Sequence, residues 1–230
     1  MSVLIFVEDK LCQSYDILAR EQLGIPRLDR SKVKAQKIEL EEVTTLVGWQ
    51  ALVETAHKTG FDCVVVVIDQ EVNWQSPDRP DKLRQVQEAY GQWCRWLDIL
   101  PPNHQIKQTK VSLVVSQTCL ECWLLADTQA VVRFAVGKGK SVPDYRPQQS
   151  GRTENTHPRE AQQQITRILA EVSRRTGHKS RREHEKSMNQ DICKYLDPAR
   201  AQRNNASLAY FLDQVRCERS GCNNRQNLDQ

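Results

Sequence analysis

The stretch Val64-Val65-Val66-Val67-Ile68-Asp69-Gln70-Glu71 limits the possible folds more than any other part of the chain. Its run of β-branched residues is too apolar for a half-exposed strand and too short to cross a bilayer. It predicts a central strand of a parallel sheet, buried on both faces. The run stops at two carboxylates, Asp69 and Glu71. In open α/β sheets, ligands sit beyond the carboxyl ends of the strands, which is where these acids fall. A second run of the same kind, Val3-Leu4-Ile5-Phe6-Val7, ends at Glu8 and Asp9. Side by side, two such strands gather three or four carboxylates in one small volume. Their mutual repulsion calls for a cation, and oxygen donors alone favour Mg²⁺ or Mn²⁺. The competing reading is local: acids after strands also close turns by hydrogen-bonding their own backbone.

Charge is distributed unevenly. Residues 1–130 carry 14 Lys+Arg against 18 Asp+Glu, and residues 131–230 carry 19 against 11. An acidic half joined to a basic half suits a polyanionic substrate, held by one part and cut at the other; a solvated basic surface gives the same count. The longest apolar run falls far short of a membrane span. No basic segment precedes the first apolar run, so no signal peptide is expected and the location reads as cytoplasmic. In that setting the eight cysteines are expected as reduced thiols. Cys119, Cys122, Cys217 and Cys222 offer four thiolates, but without the compact spacing of zinc ribbons or knuckles.

Periodicity predicts β-α-β-α-β-α-β: strand 2–7, helix 10–23, strand 37–43, helix 49–58, strand 62–68, helix 82–100 and strand 111–116. That order implies an α/β fold, a Rossmann-like parallel sheet flanked by helices with right-handed crossovers. The tryptophans of helix 82–100 fall at helical spacing and read as core or partner surface; they permit a homodimer. Thr118 and Glu121 have capping-box spacing before an apolar helix. Glu121 either completes that cap or faces the acidic cluster, and Asp127 reads as a surface residue. The α/β domain then spans 1–136, a Gly- and Pro-rich linker-like segment 137–157, and a helical basic region 158–216. Residues 217–230 are expected to be disordered. The densest basic run, Arg174-Arg175 with Lys179, Arg181 and Arg182, suits salt-sensitive contact with a phosphate backbone.

Glu8-Asp9, Asp69 and Ser116 outline the acidic pocket of a two-component receiver domain, but no fifth strand ending in Lys follows. Glu8 with Asp69-Gln70-Glu71 resembles the TOPRIM pattern of topoisomerases, primases and OLD-type nucleases, a Glu after strand one and Asp-x-Asp after strand three. Here Glu stands for the second Asp, and Asp9 occupies a position where many members have Gly. Glu121-Cys-Trp-Leu-Leu-Ala-Asp127 looks like the E-x-W-L-L-A-D signature of small TOPRIM-like proteins related to RloB and abortive-infection proteins, often found beside AAA- or ABC-type ATPases. The resemblance implies a TOPRIM-like fold and a Mg²⁺- or Mn²⁺-dependent nuclease acting on DNA or RNA in antiphage defence. It implies Glu8, Asp69 and Glu71 as metal ligands and catalytic residues, Glu121 as a further ligand, and Lys10 as a stabiliser of transition-state charge. The alternatives are a non-catalytic subunit that binds an ATPase partner, and the receiver-like phosphoacceptor.

Overall fold

A computed structural model describes the chain except for residues 9, 11, 27–30, 71–78, 117–118, 138–146, 148–151, 154–155, 178–182 and 218–230. The two apolar runs become strands β1 (Val3–Val7) and β3 (Cys63–Asp69), paired in parallel from Val3 against Cys63 to Val7 against Val67. Strand β2 (Val33–Lys37) lies on the other side of β1, and β4 (Lys110–Ser116) lies beside β3. The result is a four-stranded parallel sheet of order β2-β1-β3-β4, flanked by helices. Every residue of β1 is buried, as is β3 up to Ile68.

Alternation along the strands sends Leu4, Phe6, Val64, Val66 and Ile68 to one face. There they meet helices α2 (Leu46–Lys58) and α3 (Arg79–Ile99), which contribute Trp49, Val53, Tyr90 and Trp93. The buried aromatics carry their polar atoms to backbone acceptors: Trp49 Nε1 donates to the Val43 carbonyl at 2.9 Å, and Tyr90 Oη to that of Val111 at 3.1 Å. On the other side of β1, helix α1 (Gln13–Leu23) ends at Gly24, whose φ of 63° supplies the left-handed cap that other residues adopt at a cost. Its Arg20 is buried, bonded to Asp16 at 2.7 Å and to the carbonyl of Val33.

The strand expected over 37–43 is corrected. The pairing strand is β2, further upstream, and Leu40–Val43 forms a 3-10 turn. Glu39 and Glu42 close a reciprocal capping box there, with the Glu39 amide bonded to Glu42 Oε1 at 2.9 Å. Leu40 and Val43, three residues apart, both face the core, a spacing that a 3-10 turn satisfies and a strand does not.

The chain divides into two compact units, Met1–Val115 with the segment from Asp213 onward, and Ser116–Leu212. This division differs from a boundary in 137–157, because helices α4 (Leu120–Leu125) and α5 (Thr128–Val136) pack with α6 (Pro158–Thr176) and α7 (Asn189–Cys193). Short helix α8 (Pro198–Ala201) and helix α9 (Ala206–Gln214) follow. Within the second unit, Trp123 donates to Ser207 Oγ at 2.9 Å and stacks 5.2 Å from Phe211. Asp127 is corrected from surface to core. It is wholly buried, accepting from Arg133 and Arg200 at 2.9 Å each and from the Asp197 amide at 3.0 Å.

The first unit is closed by the chain's last described residues. Ser112 Oγ donates to Gln214 Oε1 at 2.6 Å, Lys110 to the Cys217 carbonyl, and Cys63 is joined to Cys217 by a disulfide. Two expectations are thereby corrected: the cysteines are not all reduced thiols, and Cys217 has no thiolate to give a zinc site. The expected tail beyond it, with Cys222, lies outside the described residues. No helix among the described residues is long and apolar enough to cross a membrane.

Candidate active site

From β1 the chain builds outward to β2 on one side, and from β3 to β4 on the other. The switch point of the sheet therefore lies between β1 and β3, where the diverging connections leave a crevice at the carboxyl ends. Glu8 follows β1 directly, and Asp69 is the last residue of β3. Continued past Val7 and Val67, the register sets Glu8 level with Ile68 and one residue short of Asp69. Adjacent strands run about 4.8 Å apart, so two hard oxygen donors share one end of the sheet. Both residues are partly buried, and Lys10 is exposed. This donor set fits Mg²⁺ or Mn²⁺, which take carboxylates and water, and not a soft metal. Asp9 and Glu71 lie outside the described residues, and no group of three metal-binding side chains occurs among those described.

Glu121 belongs to the second unit and is buried there. The expected capping box is corrected: Cys119 is the N-cap of α4 without a side-chain bond, and Glu121 Oε1 accepts instead from Asn189 Nδ2 at 3.1 Å. Thr118 itself lies outside the described residues. Burial opposes ionisation of Glu121, yet hydrogen bonds from Asn189 and Cys119, with the charge of Lys186, hold its pKa below the ordinary carboxylate value. The Cys119 thiol moves the other way. Its hydrogen bond with Cys122, its burial and the nearby negative charge keep it protonated. The Cys119 and Cys122 sulfurs lie 3.7 Å apart.

Arg174 and Arg175 close the last turn of α6, and both are turned onto Glu171. Arg174 binds it through two nitrogens at 3.0 and 2.7 Å, and Arg175 Nε at 2.6 Å. Much of the charge offered to a phosphate backbone at these positions is thus compensated locally. Lys179, Arg181 and Arg182 lie outside the described residues.

Sequence spacing gave no sign of two arrangements: the double-arginine clamp on Asp127, and a relay in which His184 Nε2 meets Asn189 Oδ1 at 2.7 Å while Asn189 holds Glu121. Each depends on one partner far along the chain, Arg200 for Asp127 and Asn189 for Glu121. Comparison with family models, with curated proteins and with solved structures finds no match, so the fold and the candidate site stand on the chain's own residues.

Proposed function

We propose that this chain is a Mg²⁺- or Mn²⁺-dependent nuclease hydrolysing phosphodiester bonds of DNA or RNA at the carboxyl ends of β1 and β3. The observation that carries the reading is the position of Glu8, directly after buried β1, and Asp69, the last residue of β3, at the switch point of the sheet. Glu8 and Asp69 would hold the ion, and the TOPRIM-like resemblance adds Glu71 to the ligand set. A bound divalent ion supplies Lewis acidity, lowering the pKa of coordinated water and neutralising charge on a phosphate. The chain's own part is positional. Strands buried on both faces fix where the two carboxylates begin, and Lys10 would offer a positive charge beside them.

The test is incubation of the purified chain with plasmid DNA, single-stranded DNA and bulk tRNA, in Mn²⁺ and in EDTA, beside Asp69→Asn. Metal-dependent cleavage should fall by about two orders of magnitude or more in the variant, as for loss of a group acting in the transition state. Absence of cleavage together with absence of calorimetric Mn²⁺ binding would sink the reading. Mn²⁺ binding without cleavage would instead assign turnover to an assembly with an ATPase of the AAA or ABC type.

A further inference from the structure

Helix α6 carries Arg159, Gln162, Gln163, Thr166 and Arg167 at spacings of three and four, so they form one polar face opposite the buried Ile165, Leu169 and Val172. With His184 they line an open groove of about 430 Å³ within the second unit. Arg159 and Arg167 are exposed, and neither side chain has a carboxylate partner among the described residues. That sets them apart from Arg174 and Arg175 on the same helix, which share Glu171. It also sets this groove apart from one of similar size on α3, where Arg84 is paired with Asp81 and lies 4.0 Å from Glu88, itself part of the lining.

The third corner, His184, is held in place by a buried chain. The His184 amide donates to Thr166 Oγ1 at 3.2 Å, which brings the residue over the helix face. Asn189 gives its Nδ2 to Glu121, so its Oδ1 is the atom facing His184 Nε2, at 2.7 Å. Nε2 must then carry a proton, and this bond fixes the ring. Asn189 and Glu121 are 1% and 3% exposed, so the ring is anchored from the interior and not by mobile surface groups.

We infer that the groove on α6 is a phosphodiester-backbone site that grips a nucleic-acid strand through Arg159 and Arg167, beside the fixed His184 ring. Guanidinium forks match phosphate oxygens, and glutamine amides and a hydroxyl suit the sugar–phosphate edge. Among the described residues no Phe, Tyr or Trp lines the groove. The contact is therefore independent of sequence and sensitive to salt. The choice of ligand rests on the nuclease reading, and the site itself rests on the groove.

Anisotropy of fluorescein-labelled single-stranded DNA and RNA, measured in EDTA so that nothing is cut, tests it. Arg159→Gln with Arg167→Gln should weaken binding by roughly tenfold per arginine, as for lost charge-assisted hydrogen bonds, and lower the salt slope. Arg174→Gln with Arg175→Gln should change little. All four residues are exposed, so the fold survives these changes. Equal binding by wild type and the Arg159/Arg167 variant would overturn the proposal. So would a wild type that binds inorganic phosphate in this groove but no oligonucleotide. Asp69→Asn should bind as wild type does. Binding retained by a chain that neither cuts nor takes up Mn²⁺ would fail the nuclease reading alone, whereas cleavage and binding indifferent to Arg159 and Arg167 would fail only the groove.

Discussion

Removing the Asp127 carboxylate would leave the guanidinium groups of Arg133 and Arg200, and the Asp197 amide, facing a buried gap. The Arg133 and Arg200 side chains are 32% and 38% exposed, so water partly replaces the carboxylate and the cost is about 1–3 kcal/mol, below that of breaking a fully buried pair. Asp127→Ala should therefore shift the urea midpoint of the second unit sharply downward, while Mn²⁺ binding by Glu8 and Asp69 is retained. An unchanged midpoint would mean that the arginines turn to solvent at no cost. At this scale the sequence was legible wherever chemistry followed an apolar run: Glu8 and Asp69 stand just where buried strands end. It was not legible for Asp127, whose partners lie on two other elements, or for Glu121, whose partner Asn189 is a long way down the chain. Pairwise polar contacts depend on tertiary packing, and spacing along a chain does not encode them.

Helix α6 shows how an element balances its own ends. Gly177, with φ of 73°, caps it, and Arg174 and Arg175 sit in its last turn, where positive charge complements the helix dipole. Their hydrogen bonds, Arg174 foremost, lower the pKa of Glu171 to about 2. The folded pKa lies below the ordinary value, so this support is complete above that value, near 4.5, and is lost as pH falls toward 2. An NMR titration of the Glu171 side chain should find its midpoint near 2, with amide exchange in the last turn of α6 rising over the same range. An ordinary midpoint would show that the arginines do not hold it. The elements themselves were largely readable, since β1, β3, β4, α3, α6 and α9 follow from apolar runs and helical spacing. Strand β2 was not. Its residues Val33–Lys37 are mostly charged or polar, as an edge strand allows, and the more apolar alternation after it is used by a 3-10 turn whose capping glutamates outcompete pairing.

Across the whole molecule, the first unit is discontinuous in sequence, and its closing segment returns only after the entire second unit. The return is made covalent by Cys63–Cys217, and Gln214 adds a hydrogen bond to Ser112 of β4. In the loop-entropy picture a bridge across so long a loop contributes about 5 kcal/mol, less any entropy the unfolded chain has already lost. On the ribosome, the sheet emerges early but its closing segment is made only after the second unit. At about 5–20 residues per second, Cys63 waits several seconds or more for a partner that has not yet been synthesised. A nascent chain stalled before Asp213 should accordingly be alkylated at Cys63, and the released, oxidised chain should not; protection in the stalled chain would show that the sheet is sealed without its end. The strand that leads to Asp69 thus begins at a residue whose chemistry is settled only after the second unit has been made, so a product truncated before Cys217 would carry the carboxylates without the closure that holds their strand.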